Sequence, residues 1–215
     1  CLDAGPNGEI RRKLQMEQQP LCLEKAKCRL YVPKDWDSDV RILKGSEVGL
    51  EVDEDMTCDA IAVLAGPREH EWITICHDVD HGSGPGVLVD EITDVKLIDI
   101  LMDGIMLIPH PVKAVGVRSA KRIAWGNAYL CDSRYLKFHR VDDDAADVRT
   151  GAFEIDGRMY RIISVAFARK NDCWRFEYAF PAADDVTPES LDLRAEEIEA
   201  ARRIFVPIET WWATK

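Results

Sequence analysis

Hydrophobic and polar residues alternate in many short runs along this chain, which is the pattern of half-buried β-strands. The clearest runs cover residues 28–32, 40–43, 48–52, 58–64, 72–76, 135–141, 159–169 and 173–180. Turn-forming residues separate them: Gly66-Pro67 lies between two runs, and Lys170-Asn171-Asp172 joins the last two as a hairpin. The pattern predicts a mainly β fold, either an antiparallel β-sandwich or a barrel-like domain.

One helix is predicted near the C-terminus. Thr187-Pro188 has the composition of a helix start, and the surface residues Glu199 and Arg203 are expected to pair. The apolar residues expected on its buried face are Leu191, Ala195, Ile198 and Phe205.

The two ends of the chain differ from the middle. Residues 1–18 are interpreted as an N-terminal tether, within which residues 8–16 fit a helix or a strand equally well. Residues 19–215 are predicted to form a single β-rich globular domain, and its last stretch, residues 207–212, to be an edge strand or a docked tail.

The charge balance bears on the kind of partner. The chain has 215 residues, enough for a substantial core, and a net charge of −11. The negatively charged phosphate backbone of a nucleic acid repels an acidic protein, so no nucleic-acid partner is expected. A protein partner with a basic surface suits this charge. No run of about 18 apolar residues occurs, so membrane contact is expected only through an N-terminal lipid anchor.

The chain has seven cysteines. Apart from Cys1 they form an even set, which predicts up to three disulfides in an oxidising compartment. Folding the chain about Pro67-Arg68 predicts a bridge between Cys58 and Cys76. The disulfide candidates are Cys22, Cys28, Cys58, Cys76, Cys131 and Cys173.

Cys1 precedes a small, polar stretch with Gly5-Pro6 and Gly8. This start resembles the mature end of a bacterial lipoprotein, a resemblance that covers only the first few residues. It implies lipid attachment at Cys1. Because Leu2 is not aspartate, it also implies a periplasmic address, lipid-anchored at the outer membrane. Two alternatives stay open: Cys1 is an N-terminal nucleophile, or it is an arbitrary start of the segment.

The sharpest local motif is His77-Asp78-Val79-Asp80-His81. It resembles a signature of cyclic-nucleotide phosphodiesterases, which implies that His77 and Asp78 bind catalytic metals. The chain lacks that family's upstream histidine-rich segment, and the surrounding pattern is β rather than helical. A weaker form of this hypothesis drops the family and keeps only a metal site built from His77, Asp78 and His81. A polar strand end entering a glycine loop explains the same residues, so no metal and no cofactor is predicted.

Two acidic groups are candidate partner-binding surfaces, because complementary charge speeds encounter and sets specificity. The sequence pattern predicts that both are loops. Their candidate residues are Asp53, Glu54 and Asp55 in the first group, and Asp142, Asp143, Asp144 and Asp147 in the second.

These properties together are similar in profile to the periplasmic immunity lipoproteins that neutralise secreted antibacterial toxins, such as those of type VI secretion systems. The resemblance implies a non-enzymatic protein that binds a basic-surfaced toxin and occludes its active site. Two alternatives remain: a metal-dependent hydrolase that uses His77 and Asp78, and an envelope-assembly or carbohydrate-binding lipoprotein.

Overall fold

The computed structural model describes residues 6–43, 58–79, 115–118, 120–126, 145–169, 172–187, 189 and 193–210. These residues form a mainly β fold of two antiparallel sheets with a C-terminal helix, which confirms the predicted fold class. In chain order the elements are α1 (Pro6–Glu17), β1 (Gln19–Leu23), β2 (Cys28–Val32), β3 (Arg41–Leu43), β4 (Cys58–Ala65), β5 (Trp72–Val79), β6 (Lys121–Gly126), β7 (Ala145–Ile155), β8 (Arg158–Arg169), β9 (Asp172–Pro181), α2 (Ala195–Phe205) and β10 (Glu209–Thr210).

The strands divide into a small and a large sheet. The small sheet has the order β1-β2-β10, so the chain's last described residues form the predicted edge strand. The large sheet has the order β3-β4-β5-β9-β8-β7-β6. Across the described strands it remains open, with β3 and β6 at its edges, so the sandwich form of the prediction holds and the barrel-like form does not.

Tight turns set the register of the central hairpins. Asp156-Gly157 connects β7 and β8, and both residues have positive φ angles, of 48° and 80°. Asp-Gly favours this turn because aspartate tolerates the left-handed region and glycine enters it freely. The predicted hairpin of β8 and β9 is confirmed, with Arg169 opposite Asp172.

The core lies between the two sheets and includes α2. Ile75, Val165 and Phe176 of the large sheet belong to one apolar cluster with residues of β2 and α2. Trp174 is fully buried, and its Nε1 donates a 2.9 Å hydrogen bond to the carbonyl of Ala26, in the β1–β2 turn. Trp174 therefore joins the sheets by packing and by a hydrogen bond.

The opposite face of the large sheet carries a buried polar row. Thr74, Glu177 and Ser164 are direct neighbours across β5, β9 and β8, and all three are buried. Arg175 Nε lies 3.2 Å from Glu177 Oε1. Burial raises the pKa of Glu177 above its ordinary value, and the positive charge of Arg175 opposes this shift. The centre of the large sheet is thus covered on both faces, rather than only on the face toward the small sheet.

Helix α1 begins inside the segment predicted to be a tether. Pro6 occupies the first helical position, where its missing N–H is not needed. Arg11 Nη2 donates to the carbonyl of Ile208 at 3.1 Å, and Gln15 Nε2 donates to that of Pro207 at 3.1 Å. Residues 6–17 of the predicted tether are therefore a helix that is hydrogen-bonded to the C-terminal segment.

Helix α2 begins later than predicted. Its first residue is Ala195, not one near Thr187, because the backbone N–H of Arg194 donates to the Glu197 carboxylate at 3.0 Å and fixes the start there. The expected pair of Glu199 and Arg203 is also wrong: Glu199 accepts from Arg202 at 3.3 Å.

Across the described residues, neither helix has the length and apolar character needed to cross a membrane.

Candidate functional site

The histidine motif begins inside β5 and contributes to the core. His77 is buried, and its ring centroid lies 5.1 Å from that of Trp174. Asp78 follows it on β5, opposite Cys173 of β9, while His81 lies outside the described residues. In the part of the chain that the structure describes, no three His, Cys, Asp or Glu side chains are grouped to hold a metal ion. The position of His77 favours a packing role.

The predicted bridge between Cys58 and Cys76 is wrong in register. Cys58 lies opposite Asp78, and Cys76 lies opposite Ile61. The first reason is the position of the turn. The Gly66 N–H donates to the Glu71 carbonyl at 2.8 Å, so the hairpin folds about Arg68-Glu69 and not about Pro67-Arg68. The second reason is an irregularity in β4, where the register shifts between Cys58 and Ala60.

Two of the candidate disulfide cysteines are free thiols: Cys22, which is exposed, and Cys28, which is buried. Cys76 is also buried. Cys22 and Cys28 occupy neighbouring rows of the β1–β2 ladder, opposite Arg29 and Leu23, so they project to opposite faces. Burial, with a smaller contribution from Cys22, raises the pKa of Cys28 to about 12. Cys1 and Cys131 lie outside the described residues.

Thiol labelling tests this arrangement. We expect iodoacetamide at about pH 8 to modify Cys22 in the folded protein and to spare Cys28 and Cys76, because attack requires an accessible thiolate. After unfolding without a reductant, Cys22 and Cys28 should both be labelled, which peptide mass mapping would show. A parallel sample unfolded with a reductant is the control. A requirement for the reductant at Cys28 would contradict the free-thiol assignment.

The acidic partner-binding candidates fall mostly outside the described residues. This holds for Asp53, Glu54 and Asp55, and for Asp142, Asp143 and Asp144. Asp147 is described, and it corrects the predicted loop: it lies within β7, opposite Ala166 of β8. The loop prediction failed there because the ladder between β7 and β8 continues to Ala145.

An open pocket of about 520 Å³ lies at one end of the large sheet. The turn between β4 and β5, the start of β8, the end of β9 and the first half of α2 surround it. These elements meet because Trp72 of β5 is opposite Ala179 of β9, and Pro181 is opposite Tyr160 of β8. The pocket is lined by Arg68, Glu69, Arg158, Phe180, Pro181, Ala182, Ala183, Glu196, Glu197 and Ala200.

A hydrogen-bonded triad holds the first wall. Tyr178 Oη donates to Glu71 Oε1 at 2.6 Å, and Arg68 Nη2 donates to the same oxygen at 2.6 Å and to Tyr178 Oη at 3.0 Å. The Arg68 guanidinium also lies 5.6 Å from the centroid of the Phe180 ring. Burial, followed by the negative charge of Glu71, raises the pKa of Tyr178. A Cβ at Gly66 would lie 2.6 Å from Glu71 Cγ, so this turn requires glycine.

Tyr178→Phe tests this triad. Removing the hydroxyl takes one donor from the buried Glu71 carboxylate, and we expect a loss of about 1–3 kcal/mol in the free energy of unfolding. Tyr160→Phe is the matched control, because the described residues offer the Tyr160 hydroxyl no hydrogen bond; its effect should stay within about 0.5 kcal/mol. Chemical denaturation monitored by fluorescence measures both. Equal effects of the two substitutions would argue against the triad.

A buried ion pair forms the second wall. Arg161 Nε of β8 lies 3.1 Å from Glu197 Oε1 of α2, and the two side chains are 1% and 6% exposed. The other Glu197 oxygen accepts the Arg194 N–H that starts the helix. One carboxylate therefore fixes both where α2 begins and how it sits against the sheet.

Exposed acidic residues follow one another from the end of β9 into α2. We call Asp184, Asp185, Glu189, Glu196 and Glu199 the acidic strip; all five are exposed. Between residues 184 and 199 the only basic residue that the structure describes is Arg194, which is bonded to Asp185. That hydrogen bond lowers the pKa of Asp185. The strip thus presents negative charge beside the pocket.

Sequence reasoning missed the pocket and the strip. The two turns carried signals, Gly66-Pro67 and Asp156-Gly157, but no spacing in the sequence shows that they lie at one end of the same sheet. The composition of residues 184–199 was a usable signal for an acidic surface, and it was overlooked in favour of the two denser acidic groups.

Comparison with known proteins assigns no family. No protein-family model matches this chain, and no curated protein matches it significantly. The fold and the site define the chain as an antiparallel two-sheet β protein with a charged pocket and an acidic strip at one end.

Proposed function

We propose that this chain is a non-enzymatic binding protein whose acidic strip binds a basic surface of a partner protein. In its specific form it neutralises a secreted antibacterial toxin by occluding the toxin's active site. The periplasmic address, with lipid attachment at Cys1, belongs to the same proposal. The acidic strip is the observation that carries it, and the net charge of −11 supports it.

The strip is suited to this role by its position. Glu196 and Glu199 are on a helix whose orientation is fixed by the buried pair of Arg161 and Glu197, so their charges are presented on a rigid element. Fixed charges complementary to the partner speed encounter and reject partners of the wrong sign. The core position of His77 gives the hydrolase alternative no support.

Co-expression with an antibacterial toxin tests the proposal, and any toxin whose gene adjoins that of this protein is the first candidate. The wild-type protein should restore growth to cells that carry the toxin in the periplasm. A triple variant of the strip, Asp184→Asn, Glu189→Gln and Glu199→Gln, should lose most of this protection, because the exposed charges that attract the toxin are gone.

The control removes the same number of charges elsewhere. Glu24→Gln, Asp35→Asn and Asp39→Asn are exposed positions outside the strip, and this variant should protect like the wild type. Equal protection by both variants would exclude the strip as the binding surface. Absence of protection by the wild type would count against the immunity role and favour an envelope-assembly or carbohydrate-binding role.

A further inference from the structure

Some of the charged residues that line the pocket form ion pairs, and others do not. Glu71 neutralises the Arg68 guanidinium, and Arg161 neutralises the Glu197 carboxylate. Glu69 lies 3.6 Å from the imidazole of His70. Arg158, Glu196 and Glu69, whose neighbour is an imidazole, are the lining charges without a permanently charged partner among the described residues.

Arg158 is held without being neutralised. Its guanidinium lies 6.0 Å from the centroid of the Tyr160 ring, an arrangement that keeps the positive charge and restricts the side chain. Arg158 is exposed and begins β8 directly after the Asp156-Gly157 turn. Its donors are therefore available to an anionic group of a ligand.

Glu196 offers the opposite charge from another wall. It lies in the first turn of α2, where the positive end of the helix dipole favours a negative charge. Arg158 and Glu196 come from a strand and a helix, on separate elements around the pocket. The apolar part of the lining is formed by Phe180, Pro181, Ala182, Ala183 and Ala200.

We propose that this pocket binds a zwitterion of dipeptide size, with its carboxylate on Arg158, its ammonium on Glu196 and its apolar body on Phe180 and Ala200. A volume of about 520 Å³ suits such a ligand, since small-molecule sites span about 300–1,000 Å³. The two termini of a dipeptide stand about 7 Å apart when extended, so they can contact different residues. This inference concerns a small ligand and does not depend on the toxin partner.

Three peptides that differ in one charge each test the site by calorimetry. We expect alanyl-phenylalanine with free termini to bind the wild type with a dissociation constant below about 1 mM. The N-acetylated peptide lacks the ammonium and the C-amidated peptide lacks the carboxylate. Each should bind at least about tenfold more weakly, because one charge-assisted hydrogen bond is lost.

Two variants assign the charges to their residues. Arg158→Gln should remove the preference for the free acid over the amide, and it should keep the preference for the free amine. Glu196→Gln should do the reverse. Residues Arg203 and Glu24 are exposed and do not line the pocket, so Arg203→Gln and Glu24→Gln should keep both preferences.

The results separate cleanly from those of the toxin experiment, since Asp184, Glu189 and Glu199 do not line the pocket. No saturable binding of the dipeptide at about 10 mM would overturn the inference. Binding whose end-group preferences are unchanged by Arg158→Gln and Glu196→Gln would overturn it as well. Thermal unfolding of each variant shows that a lost preference does not come from a lost fold.

Discussion

Glu197→Ala is expected to lower the free energy of unfolding by about 3–5 kcal/mol, because it removes the carboxylate that pairs with the buried Arg161 guanidinium. Arg161 is 1% exposed, so water reaches it only if the helix moves. The substitution also removes the acceptor for the Arg194 N–H at the start of α2. Equilibrium denaturation in urea measures the change.

Glu196→Ala is the matched control for this prediction. It is the neighbouring glutamate on the same turn of α2, and it is exposed. Its effect should stay within about 0.5 kcal/mol, as for most surface substitutions. If the two substitutions destabilise the protein equally, the buried pair does not hold α2 against the sheet.

Trp174→Ala has the second large expected effect, a loss of about 3–5 kcal/mol in the free energy of unfolding. The indole is fully buried between the sheets, donates to the carbonyl of Ala26 and packs against His77. Its removal leaves a cavity and an unsatisfied carbonyl at the contact between the β1–β2 turn and the large sheet.

Met16→Ala is the control for the loss of an apolar side chain, because Met16 is 85% exposed. Its effect should be close to zero. A small effect of Trp174→Ala, comparable to that of Met16→Ala, would show that the two sheets do not pack across this tryptophan.

Local patterns predicted most of the described strands, although β1 and β7 were not among the predicted runs. Residues 28–32 alternate and are followed by Pro33, and β2 has these same bounds. The hairpin of β8 and β9 was also predicted, because two apolar alternating runs flank a short polar turn. In both cases the information lies within the strands and turns themselves.

Features that depend on distant residues were missed or wrong. The start of α2 depends on the bond between Arg194 and Glu197 and on the pairing of Glu197 with Arg161, more than 30 residues earlier. Asp147 looked like part of an acidic loop, yet pairing with β8 places it in a strand. The pocket could not be predicted, because it exists only through the strand order β5-β9-β8.

The proposed function is tested most directly by the salt dependence of toxin binding. Calorimetry with a catalytically inactive form of the toxin identified by co-expression should show a one-to-one complex. Its dissociation constant should rise at least about tenfold between about 50 mM and 300 mM salt, since salt screens exposed charges. The strip variant should bind more weakly and lose most of this dependence. A complex whose affinity is insensitive to salt, or no complex, would contradict binding through the acidic strip.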